Sequence, residues 1–138
     1  MEFAISLGSE PVEISFPVVQ DERGRICVIE RFAFPIQRIY YLFDVPAGEV
    51  RGSHAHMTLC QLLVPLSGSF RLDLSDGEFT REHVMNNPER GILVPPGYWR
   101  TLSDFSAGAI CLVAASQEYD EKDYIRDFDA FCAWRRGA

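Results

Sequence analysis

The feature that most constrains this chain is its punctuation: short β-type runs, broken at nearly even intervals by glycine, proline, asparagine and aspartate. Pro11–Val19 alternates loosely and ends at Asp21-Glu22-Arg23-Gly24. Ile26, Val28 and Glu30 then alternate with their neighbours, and Ile36–Phe43, rich in aromatic and β-branched residues, stops at Val45-Pro46-Ala47-Gly48. Further runs follow at Leu59–Leu66, Phe70–Leu74, Glu78–Met85, Gly91–Val94, Trp99–Leu102 and Ala109–Ala115. Between them stand Ser67-Gly68, Ser75-Asp76-Gly77, Asn86-Asn87-Pro88 and Pro95-Pro96-Gly97, residues that turn a chain cheaply. Many short strands at roughly 8–12-residue spacing predict an all-β sandwich or barrel. The tail changes period: Phe128, Phe131 and Cys132 fall at helical spacing behind Asp127, which predicts one short capped helix over Asp127–Trp134.

With 138 residues, the chain has the length of a single domain, residues 1–138, with one core. Composition removes several classes of function. No apolar run approaches the roughly 20 residues that cross a bilayer, and the N-terminus lacks the pattern of a secretion signal. The four cysteines are scattered without a C-x-x-C pair, which fits reduced thiols and a cytoplasmic protein. A net charge of −7 argues against a nucleic-acid partner. It also means that an anionic small molecule needs local arginines to reverse the overall field.

His54-Ala55-His56 is the most informative local feature. In an extended strand both imidazoles share a face, with Cα atoms about 6.6 Å apart at ~3.3 Å per residue. Such a pair can flank adjacent carbons of one sugar ring, and imidazole exchanges protons near neutral pH. Gly48, His54-x-His56, Gln61 and Gly68 match the spacing of the first cupin motif, and Gly91 with Pro95-Pro96-Gly97-Tyr98-Trp99-Arg100 resembles the second. The cupin resemblance implies a jelly-roll β-barrel. Metal-binding cupins add a glutamate and a third histidine; here those positions hold Gln61 and Arg100. Two imidazoles, an amide and a guanidinium make a poor cation site, so no metal and no other cofactor is expected. The third histidine, His83, reads as a surface or edge residue.

Nearly the whole chain, from about Val12 to Phe131, resembles the nucleotide-sugar 3,4-ketoisomerases that act on dTDP-4-keto-6-deoxyglucose. The most specific segments are Arg51-Gly52-Ser53-His54-Ala55-His56 and Tyr119-Asp120-Glu121-Lys122-Asp123-Tyr124-Ile125-Arg126. Asp21-Glu22-Arg23-Gly24, Arg38–Asp44 and Asp104-Phe105-Ser106 add to them. The resemblance implies a homodimer without metal that moves a carbonyl from C4 to C3. Its product leads to dTDP-3-amino-3,6-dideoxy sugars for surface polysaccharides, such as lipopolysaccharide, or for secondary metabolites. His54 and His56 are the expected acid/base pair: His56 moves the carbon-bound proton and His54 relays between oxygens, or the reverse. Arg38, Tyr40, Arg51, Arg100, Arg126 and Trp99 are the expected substrate contacts, Arg51 and Arg126 at the pyrophosphate. Arg100 either binds ligand or keeps the imidazoles neutral. Family members often carry histidine there, which leaves the product's C4 stereochemistry open. The competing readings are a 3,5-epimerase, a sugar- or nucleotide-binding cupin without catalysis, and a metal-dependent oxygenase.

Overall fold

The computed structural model describes residues 7–137. Among them are twelve strands and one α-helix. β1 (Val12–Ser15), β2 (Val18–Asp21), β3 (Gly24–Cys27), β4 (Arg38–Leu42), β5 (Arg51–His56) and β6 (Gln61–Ser67) make the first half. β7 (Phe70–Ser75), β8 (Thr80–Met85), β9 (Arg90–Val94), β10 (Trp99–Ser103), β11 (Ile110–Ala115), β12 (Tyr124–Ile125) and α1 (Phe128–Gly137) follow. Two five-stranded antiparallel sheets, β1-β9-β6-β11-β4 and β12-β5-β10-β7-β8, face one another as a jelly-roll barrel. β2 and β3 form a separate hairpin, and Pro17 lies in the break that ends β1 before β2. The sequence pattern had suggested one run across that break.

Strand alternation builds the core. Leu72 and Leu74 of β7, Leu102 of β10, Leu63 of β6 and Val113 of β11 meet between the sheets. β6 is apolar on both faces, because Leu62 and Val64 point outward into a second cluster with Ile14, Phe34 and Leu93. Burying such side chains contributes about 1.5–3 kcal/mol each. On the outer face of the other sheet, α1 packs Phe131 against Trp99, with ring centroids 5.8 Å apart. Asp127 caps α1 by accepting from the Ala130 N–H at 2.9 Å. One turn tolerates only glycine: at Gly68 (φ +66°) an added Cβ would lie 2.5 Å from Ser106 Oγ.

β5 carries the irregularity that shapes the site. His54 stands opposite Arg100 while Gly52 stands opposite Thr101, so Ser53 is an extra residue in the strand. Gly52 and Ser53 have φ of +84° and +58°, the left-handed backbone of a bulge. Simple alternation would send Arg51 and His54 to opposite faces. The extra residue restores their phase, and both line the interior.

Candidate active site

The open end of the barrel holds a cavity of about 410 Å³, within the size range of small-ligand sites. β4 contributes Arg38 and Tyr40, β5 contributes Arg51 and His54, β6 contributes Gln61, and β10 contributes Arg100. Tyr124 and Arg126, in and just beyond β12, close one side. A smaller cavity of about 220 Å³, beside Glu82, His83 and Arg90, contains none of these groups. His83 is half-buried on the edge strand β8.

Both imidazoles point inward, with ring centroids 4.9 Å apart and planes nearly perpendicular. His54 lines the cavity; His56 is wholly buried behind it. His54 Nδ1 lies 3.1 Å from the Gly52 carbonyl, to which it donates. His56 Nδ1 lies 3.1 Å from Asp123 Oδ2 and donates to that carboxylate. Both Nε2 atoms therefore carry a free lone pair, and both are buried without a hydrogen-bond partner. Burial, followed by the Arg100 guanidinium, holds the His54 pKa down at about 4. The same two causes, in the same order, push His56 far below the ordinary imidazole value. The Asp123 carboxylate acts in the opposite sense, but in this dry, cationic setting both rings are neutral at pH 7.

Asp123 was not singled out from the sequence except as a letter within the Tyr119–Arg126 segment. It sits in a 3₁₀ turn, Glu121–Asp123, and is nearly buried. Besides His56 it accepts from Thr58 N (2.7 Å), Thr58 Oγ1 (2.7 Å) and Leu59 N (3.2 Å). No periodicity signals such a contact, because the partners lie more than sixty residues away.

The arginines divide by environment. Arg38 stacks 4.7 Å from the Tyr40 ring centroid, and its Nη1 is buried without a partner. Arg126 is paired with Glu121 at 2.7 and 2.9 Å, and this pairing lowers the Glu121 pKa to about 2. Arg51 reaches the cavity mouth from an exposed position. Arg100 is buried, donating to Gln61 Oε1 at 2.5 Å and to the Tyr98 carbonyl at 2.9 Å. Burial lowers its pKa to about 10, so it remains charged at neutral pH. Gln61 Nε2 in turn donates to the Tyr40 hydroxyl at 3.1 Å.

Trp99 corrects an expectation. It neighbours Arg100 on β10, so alternation sends it to the opposite face, where it packs on Phe128 and Phe131 of α1 instead of lining the cavity. The residues at the usual cupin metal position fit a cation poorly. Arg100 is bonded to Gln61 beside the imidazoles, and no cluster of three His, Cys, Asp or Glu side chains occurs among the described residues.

Residues 10–136 match the protein family described as "FdtA: WxcM-like, C-terminal". A TDP-4-oxo-6-deoxy-α-D-glucose-3,4-oxoisomerase from Aneurinibacillus thermoaerophilus is 43% identical over 121 residues, 86% of this chain and 87% of that protein. The solved structure of QdtA, a sugar 3,4-ketoisomerase from Thermoanaerobacterium thermosaccharolyticum in complex with TDP, is 33% identical, with a TM-score of 0.90. That match covers 93% of this chain and 96% of QdtA. A 3,4-ketoisomerase from Helicobacter canadensis is 34% identical over 94% of this chain and 99% of its own, also with a TM-score of 0.90. A dTDP-4-dehydrorhamnose 3,5-epimerase from Bacillus anthracis, 14% identical with a TM-score of 0.74 over 88% and 81% of the two chains, shares the fold alone.

Proposed function

The chain belongs to the FdtA family, and from that premise we propose how its cavity carries out sugar 3,4-ketoisomerisation. The enzyme moves the keto group of a TDP-linked 4-keto-6-deoxyhexose from C4 to C3. Its product carries the ketone that a 3-aminotransferase needs to make a 3-amino-3,6-dideoxy sugar. The observation that carries the catalytic reading is the bare Nε2 of His54, the one imidazole in a wall whose charged side chains are all arginines.

His54 is the base for the carbon-bound proton. It takes the proton from C3 and an enediolate forms, with its charge on the C4 oxygen. The proton of the C3 hydroxyl passes across to that oxygen, and His54 returns its own proton to C4 as the ketone forms at C3, so charge and atoms balance. Of the two orders open from the sequence, cavity access favours this one, since His56 lies behind His54. His56, anchored to Asp123, is the second member of the pair and holds His54 edge-on. An imidazolium beside Arg100 is unfavourable, which drives the proton back to carbon. Such positioned acid/base groups typically contribute 10²–10⁴-fold.

Arg51, Arg38 and Arg126 take the diphosphate, locally reversing the field of a chain whose net charge is −7. Tyr40 contacts a sugar oxygen, and Arg100 acts from within the wall, where it is almost wholly buried. The reaction needs no metal in this reading, so activity should survive exhaustive chelation. We also assign a homodimer. The edge strand β4 exposes Ile39 and Tyr41 on its outer face, and the β2–β3 hairpin exposes Val19 and Ile26. Light scattering tests that assignment. The four free cysteines suit a reducing cytosol.

The decisive experiment follows TDP-4-keto-6-deoxyglucose in D₂O by NMR, with and without His54→Asn. Wild type should produce the 3-keto isomer and wash deuterium into the sugar carbons, while the variant should do neither. Inversion at C3 or C5 with the ketone still at C4 would instead identify an epimerase. Binding without turnover would identify a sensor.

A further inference from the structure

Two buried polar groups and the half-buried Tyr40 form a chain that ends at the cavity: Arg100 to Gln61 to Tyr40. Its direction follows from what each group can donate. A guanidinium has only donors, so the Gln61 atom 2.5 Å from Arg100 Nη1 must be the amide oxygen. The amide cannot flip without setting its NH₂ against a buried cation. Its Nε2 therefore faces Tyr40 and donates to the phenol oxygen at 3.1 Å. The phenol cannot donate back to an NH₂ group. Arg38, stacked on the same ring at 4.7 Å, offers no acceptor either. Among the described residues, the hydroxyl of Tyr40 makes no other hydrogen bond. Its own proton is left pointing into the cavity.

We propose that Gln61 is a positioning residue which, held by Arg100, turns the Tyr40 hydroxyl into an obligatory donor toward the sugar oxygen that becomes the enolate oxygen. This deepens the isomerase reading and rests on it. As His54 removes the C3 proton, negative charge moves onto the C4 oxygen, and the Tyr40 O–H is already aimed there. No solvent or side-chain reorganisation is needed at that moment, which is where preorganised donors act most strongly. Arg100 thus influences the reaction through two intervening side chains, Gln61 and Tyr40.

Gln61→Glu is the sharp test, because it keeps the shape and the Arg100 partner yet replaces the donor facing Tyr40 by an acceptor. The phenol then donates to the new carboxylate and is lost to the substrate. The expected result is a fall in kcat of about 10²-fold with KM changed by less than about threefold. Tyr40→Phe should lose a similar amount, and the double variant should lose no more than Tyr40→Phe alone. Gln61→Met, which removes the donor without adding charge, should give a smaller loss that also vanishes in the Tyr40→Phe background. Calorimetric binding of TDP confirms that each variant keeps its cavity, and the methionine cycle carries the test should the glutamate variant fail to bind. An active wild type with Q61E at full kcat, or double-variant losses that multiply, overturns the inference alone. A wild type that makes no 3-keto product overturns the isomerase reading and this inference with it.

Discussion

Removing the Asp123 side chain should unfold the protein at a markedly lower temperature, and the size of the effect can be worked from its bonds. The carboxylate accepts four hydrogen bonds, from His56 Nδ1, Thr58 N, Thr58 Oγ1 and Leu59 N. In Asp123→Ala the threonine hydroxyl can turn elsewhere, but the Leu59 N–H and the His56 N–H remain buried without an acceptor, and the more exposed Thr58 N–H loses its partner as well. An abandoned buried donor costs about 1–3 kcal/mol, and water entering the vacated space recovers part of it, leaving about 3–4 kcal/mol in total. For 138 residues the entropy of unfolding is about 290 cal/mol/K, so the melting temperature should fall by about 10–14 °C. Asp123→Asn keeps one acceptor oxygen and should lose about half as much. Calorimetric melts at pH 7.5, with reversibility checked by rescanning, provide the measurement. An alanine variant melting within about 3 °C of wild type would refute the claim that this carboxylate ties β5 to the 3₁₀ turn.

Three further outcomes follow from the geometry of the cavity. Because burial and Arg100 hold the His54 pKa near 4, the neutral base should persist well below pH 6, and the acid limb of kcat/KM should fall far under the ordinary imidazole value near 6.5. The linked stability change has a definite sign: between about 6.5 and about 4 the unfolded chain binds protons that folded His54 refuses, so stability declines as pH drops through that window. A kcat/KM profile that bends at pH 6.5 would contradict the assignment. Arg51→Gln should weaken TDP binding by about tenfold, the low end for a charge-assisted bond because the side chain is exposed, and raised salt should narrow the difference. Unchanged calorimetric affinity would remove Arg51 from the phosphate site.

Much of this architecture was legible because local chemistry and tertiary structure agree. The turn at Ser67-Gly68, the alternation of Phe70–Leu74 and the cap at Asp127 each state their own conformation, and the jelly roll uses all three. The histidine pair was legible for the same reason: residues two apart on a strand share a face. Trp99 was misplaced because motif likeness overrode that alternation, which sends it away from Arg100. Asp123 and the direction of the Gln61 amide were hidden for a different reason. Each depends on a partner far away in sequence, and nothing in the local pattern of a chain announces a hydrogen bond across a barrel. β12, only two residues long, lacks the length that makes a periodicity visible.

The extra residue at Ser53 couples two tasks by simple counting. With the bulge, a guanidinium for the anion and the imidazoles for carbon chemistry emerge into one chamber from a single strand; if the same residues ran in unbroken alternation, the arginine would surface on the outside while the histidines stayed put. The segment from Arg51 to His56 therefore works as one block, in which the bulge sets where both kinds of side chain point. Anchoring the nucleotide and moving the proton are therefore tasks that this scaffold cannot readily tune apart.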